Sequence, residues 1–187
     1  MQVEGRNSRS LRLTIDPGAE YRDILSAFDS IALPTTNLGA DNLRFAILEL
    51  VNNSLRAHRE RGVQKEILVD IYCADDLLII QIRDFGGGFD PGKLPYSLDA
   101  DVRSVNIMSE SFQEYQKKNN FKRFGMGLYI AKKTFDQFLL LFLDGKGAPA
   151  PWTPGTTAGT LIRLAIATRD GPQEGKGGDR GIRTAKA

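Results

Sequence analysis

Four short runs in this 187-residue chain combine residue types that could do chemistry together. The first is Glu49-x-x-x-Asn53, with Arg56 three residues further on. On a helix those spacings bring all three side chains to one face. A carboxylate, a carboxamide and a guanidinium there could supply a base, a metal ligand and a phosphate contact. The second run is Asp84-Phe85-Gly86-Gly87-Gly88-Phe89. Asp84 shares parity with Ile80 and Ile82, so the strand alternation that turns those two inward turns the carboxylate inward as well. A buried carboxylate needs a hydrogen-bond partner, and no basic residue is spaced to provide one. An exocyclic amino group, such as N6 of adenine, would satisfy it, and the glycines would let the backbone approach a flat ligand closely. In the third run, Gly125-Met126-Gly127-Leu128, a Gly-x-Gly at a helix start leaves backbone N–H groups at the positive end of the dipole, where phosphates bind. The fourth is Gly159-Thr160, whose hydroxyl could join Asp84 around an adenine ring.

These runs need elements to position them. Leu11, Leu13 and Ile15 alternate as a short strand, and Asp16-Pro17-Gly18 supplies a turn. Residues 19–32 carry Tyr21, Ile24, Leu25, Phe28 and Ile31 at helical spacing. Residues 41–57 form the helix of the first run. Asn42, Glu49, Asn53 and Arg56 share one face, Leu43, Ile47, Leu50, Val51 and Leu55 the other, and the helix ends near Arg61-Gly62. His58, the single histidine, falls near that end and is expected at the surface rather than as a phosphoacceptor. Residues 65–73 and 77–83 read as a hairpin turning at Asp75-Asp76. Residues 93–124 read as a long, mobile, partly helical loop with a basic patch of Lys117, Lys118, Lys122 and Arg123. A helix over 125–137, strands over 138–143 and 160–167, and a Gly/Pro-rich loop from 145 complete the order. Consecutive strands favour antiparallel pairing with helices on one face, an α+β two-layer sandwich.

Composition excludes several alternatives. With 41% hydrophobic residues the chain can bury one good core, and one domain over residues 11–168 is the natural count. Residues 1–10 read as a flexible N-terminus, and the apolar-poor stretch at 169–187 reads as a disordered tail. Lys plus Arg number 25 against 23 Asp plus Glu, a net charge of +2, which makes no case for nucleic acid or an anionic membrane as partner. No run approaches the ~20 apolar residues needed to cross a bilayer, and residues 1–10 lack a signal peptide's apolar core. Cys73 is the only cysteine, so no internal disulfide or cysteine-based zinc cluster forms. A cytoplasmic location fits.

In their order, Glu49-x-x-x-Asn53, Asp84-x-Gly86-x-Gly88, Gly125-x-Gly127 and Gly159-Thr160 resemble the N, G1, G2 and G3 boxes of the GHKL ATPases, the superfamily of gyrases, Hsp90 chaperones, histidine kinases and MutL proteins. The resemblance spans residues 11–167. It implies a Bergerat-type ATP-binding fold, with a mixed, mostly antiparallel sheet, and ATP and Mg²⁺ as cofactors. It further implies that Asn53 ligates Mg²⁺ and Glu49 acts as general base. Asp84 would bind the adenine amino group, with Gly86, Gly88, Phe89 and Thr160 around the ring. Gly125 and Gly127 would offer N–H groups to the phosphates, Met126 and Leu128 would shape the pocket, and Arg56 would lie near the phosphates. Residues 93–124 would be the ATP lid.

Within the superfamily, the chain looks like the anti-sigma-factor serine kinases of bacterial partner-switching systems. The likeness rests on Glu49 and on Gly125-Met126-Gly127-Leu128-Tyr129-Ile130 followed by Thr134-Phe135-Asp136-Gln137-Phe138. It implies a regulatory protein partner, an antagonist or sigma factor, and a possible homodimer. The long loop at 93–124, the Gly/Pro-rich insertion at 145–158 and Arg56 depart from that branch. A histidine-kinase-like domain acting on a separate phosphoacceptor, or a non-catalytic ATP-binding module, therefore stands beside it.

Overall fold

A computed structural model of the chain describes residues 9–34, 36–74, 76–118 and 126–168. Its elements are β1 (Arg9–Ile15), α1 (Tyr21–Asp29), α2 (Ala40–Arg61), β2 (Ile67–Ala74), β3 (Leu77–Asp84), α3 (Glu110–Lys118), α4 (Met126–Thr134), β4 (Gln137–Leu143) and β5 (Gly159–Ala167). The five strands form one sheet in the order β1-β2-β3-β5-β4. Every neighbouring pair is antiparallel, so the mostly antiparallel sheet expected is antiparallel throughout the described strands. The chain leaves β3, passes through the long connection and α4, and returns as β4 on the far side of β5.

Registers turn the alternation into layers. Leu13, Val69, Ile82, Ile162 and Leu140 lie side by side across all five strands, and Leu11, Ile71, Ile80, Leu164 and Phe138 form the next row. These rows face the helices, where Ile24 and Phe28 of α1, Leu43, Ile47, Leu50, Val51 and Leu55 of α2, and Leu128 and Ala131 of α4 are buried against them. The intervening row, Arg12, Asp70, Gln81 and Arg163, lies on the opposite face. There Arg12 and Asp70 pair across strands at 2.5 Å; with the arginine open to solvent, the pair adds little to stability. The fold is thus an α+β two-layer sandwich.

Element ends differ from the sequence reading where a partner overrides the pattern. Arg9 and Ser10, expected to be loose, extend β1 opposite Cys73 and Tyr72. The helix over 125–137 stops at Thr134, because Asp136 accepts from the Ala167 N–H at 3.0 Å and so binds the chain into the sheet. At the end of α2, Gly62 takes the left-handed conformation at φ 66°, and the Val63 N–H donates to the His58 carbonyl at 2.9 Å. That closure is the glycine stop read from the sequence. Residues 1–8, 119–125 and 169–187, which include Gly125, Lys122, Arg123 and the proposed tail, lie outside the described residues.

Candidate nucleotide-binding site

The last residue of β3 places a charge in the core. Asp84 is only 5% exposed and pairs in register with Thr160 of β5, so the threonine hydroxyl donates to Asp84 Oδ2. Ser54 Oγ, reaching from α2, approaches the same oxygen at 3.4 Å. The Gly86 N–H donates to Oδ1 at 2.8 Å. Hydroxyls and one amide, rather than a basic residue, hold the carboxylate. The close approach of β3 and β5 here requires Gly159, because a Cβ at that position would run into the Asp84 carbonyl oxygen.

A cavity opens beside this carboxylate, lined by Ser54, Ala57, Glu60 and Arg61 of α2, by Gly86, Gly88 and Phe89 of the following turn, and by Leu128, Thr160 and Ile162. Phe89 meets Phe142 edge to face at 5.5 Å, which fixes an aromatic wall. Gly88 has φ 64° and Gly87 φ 75°, conformations open to glycine. Further along α2, Asn53 and Arg56 also line the cavity, and Arg56 Nη2 donates to Asn53 Oδ1 at 3.0 Å. The cavity therefore runs from a buried carboxylate to an amide–guanidinium pair.

Helix α4 seats against this second end. A Cβ on Gly127 would fall 2.5 Å from Asn53 Nδ2 and 3.4 Å from Glu49 Cβ, so the absent side chain is what lets α4 meet α2 at that turn. Glu49 lies half-buried behind Asn53, one turn back on α2, and does not line the cavity. Met126 and Gly127 are also outside its lining. Among the described residues no group of three His, Cys, Asp or Glu side chains could hold a metal.

His58 corrects the sequence reading. It is fully buried, with no exposed surface. Its Nε2 accepts from the Phe85 N–H at 2.8 Å and its Nδ1 lies 3.0 Å from the Lys65 carbonyl oxygen. Those bonds specify a neutral ring with its proton on Nδ1. Burial lowers its pKa from the ordinary value of 6.5, against the nearby Asp84 charge and the Lys65 carbonyl. The signal was present in the sequence: Ile47, Val51, Ser54 and His58 follow one another at four, three and four residues, a single inward stripe.

The long connection is partly helical, as read. Pro91–Lys93 and Val102–Ser104 are single 3₁₀ turns and Glu110–Lys118 is α3. Lys132 of α4 donates to the carbonyls of Leu98 and Ala100. Tyr96 stacks on the buried Phe112 at 6.4 Å and meets Tyr129 of α4 edge-on at 6.3 Å. Leu94 reaches the cavity itself. A second cavity shares Arg61 and Phe89 with the first and is bounded by Tyr115 of α3 and by Trp152 of the 145–158 loop. That loop is tied back to the glycine turn where Gly87 N–H donates to the Ala158 carbonyl at 2.9 Å.

A family model described as histidine kinase-, DNA gyrase B-, and HSP90-like ATPase matches residues 39–164. The chain belongs to that family. No curated protein matches it. The matched span begins at the residue before α2 and ends within β5, so it contains every side chain of the cavity. As a histidine-kinase-like ATPase domain, the chain is an ATP-binding, kinase-like module. None of its described helices is long and apolar enough to cross a membrane.

Proposed function

We propose that this domain binds Mg-ATP in the cavity between α2, α4 and the end of β3, and phosphorylates a serine on a regulatory protein partner in the bacterial partner-switching manner. The observation that carries the nucleotide assignment is Asp84. Its Oδ1 and Oδ2 are held by Gly86, Thr160 and Ser54 at the cavity wall, where a carboxylate selects a ligand bearing an amino group. Gly86, Gly88 and Phe89 surround the base, and Thr160 assists at Asp84. At the far end, Arg56 faces the phosphates, with Gly125 and Gly127 supplying N–H groups and Met126 and Leu128 shaping the approach. The donor set suits Mg²⁺, which commonly takes one or two protein oxygens and fills its shell with phosphate and water. Asn53 Oδ1 is the protein oxygen, since a carbonyl that accepts from Arg56 keeps a second lone pair. When bound, the ion neutralises charge on the phosphates.

Glu49 then acts as general base. It takes the proton of the serine hydroxyl as that oxygen bonds to the γ-phosphorus, while the bond to the β–γ bridging oxygen breaks and ADP leaves. Arg56, already oriented by Asn53, favours a second reading in which the acceptor is a histidine on a separate domain. Transfer of label from γ-labelled ATP to a candidate partner separates them. Acid-stable label supports serine and acid-labile label supports histidine, while binding without transfer reduces the domain to a nucleotide-binding module. Glu49→Gln is expected to retain ATP affinity and lose transfer by about 10²-fold or more; transfer at the original rate overturns the role of Glu49.

A further inference from the structure

His58 does not itself line the cavity, yet it is tied to both ends of one short circuit. Its ring lies between the end of β3 and the segment leaving α2. Nε2 takes the N–H of Phe85, the residue after Asp84, and Nδ1–H reaches the Lys65 carbonyl. Gly86 packs on the same turn of α2: a Cβ there would fall 2.6 Å from Ala57 Cβ and 3.1 Å from His58 Cδ2. Lys65 also closes over the Phe85 ring at 4.1 Å. The backbone on either side of the Asp84 carboxylate is therefore fastened at two places, by Thr160 and Gly159 of β5 and by the His58 ring.

We propose that His58 is a positioning residue for adenine selectivity, holding the Asp84-Phe85-Gly86 turn so that the carboxylate meets the amino group of the base. The inference rests on the reading of Asp84 as the adenine contact. An amide side chain can replace either ring nitrogen. His58→Gln places an acceptor near Nε2 and keeps the Phe85 bond; His58→Asn places a donor near Nδ1 and keeps the Lys65 bond.

The test measures binding of ATP and of purine riboside triphosphate, which lacks the 6-amino group, to the full chain, with thermal midpoints recorded for each variant. The wild-type chain is expected to prefer ATP by about tenfold or more. His58→Gln keeps that preference and His58→Asn loses most of it, whatever their relative stabilities. A full preference in His58→Asn, or a preference that follows thermal midpoint in both variants, overturns the proposal. Equal binding of the two triphosphates by the wild-type chain instead overturns the adenine reading of Asp84, and this inference with it. Nitrogen-15 NMR of the only histidine needs no variant to fold. At neutral pH it is expected to show the Nδ1–H neutral tautomer, and the other tautomer or a charged ring overturns the positioning role.

Discussion

At the scale of single residues, the site depends on polar atoms whose partners are few and specific. Asp84 Oδ2 has two hydroxyl partners, from Thr160 and Ser54. Thr160→Val keeps the shape and removes a donor, so a buried charged oxygen loses a bond at a cost of about 1–3 kcal/mol. A lower thermal midpoint and weaker ATP binding are expected, read by calorimetry; unchanged values for both would show that Ser54 alone suffices. Asp84→Asn is expected to weaken ATP binding by about tenfold or more, since the amide that replaces an oxygen would face the base's own amino group. The His58 shift fixes a second sign. A histidine whose folded pKa is lowered below its ordinary value adds no penalty above 6.5, where both folded and unfolded chains are neutral. Below that value the unfolded chain takes up the proton first, so stability falls with pH until the folded ring titrates too. Thermal midpoints should therefore drop more steeply below about pH 6.5 in the wild-type chain than in His58→Gln. Parallel curves would mean that other groups dominate the acid limb.

At the scale of elements, the contact between α2 and α4 is the joint most open to test. Gly127→Ala sets a methyl group 2.5 Å from Asn53 Nδ2. Either the helices separate or Asn53 turns away, at a cost of about 1–3 kcal/mol. A loss of Mg²⁺-dependent ATP affinity larger than the loss of stability is expected, measured by titration with and without the metal. Equal losses would place Gly127 in packing alone. The elements themselves were largely legible. Alternation located β1 and β2, the 3.6-residue period located α2, and glycine at 62 located its end. What periodicity could not supply was cross-element contact. Ser54 and His58 lie on the inward stripe of α2, but only the fold brings that stripe to the end of β3, and only then does a histidine near a helix end become a buried clamp. The residues Glu60, Arg61 and Leu94 were also missed. Glu60 and Arg61 continue the cavity-facing side of α2 beyond Arg56 and Ala57 and were within reach of helical spacing, whereas Leu94 arrives through the connection after β3, which no residue spacing encodes.

At the scale of the whole molecule, the chain from residue 39 to residue 164 is the family domain, and the connection after β3 with the loop after β4 gives it its individual outline. The two meet at the second cavity, where Tyr115 of α3 faces Trp152 of the loop beside Arg61 and Phe89. Lys132, together with Tyr96, which stacks on Phe112 of α3 and meets Tyr129 of α4 edge-on, holds the connection to α4, so a movement of α4 toward bound phosphates would carry α3 with it. Trp152 is the single tryptophan of the chain, which makes it a built-in optical gauge of that movement. Its emission should change in intensity or wavelength on addition of Mg-ATP and return on chelation of the metal. Emission that ignores the nucleotide would show instead that the loop and α3 keep their places while the site fills.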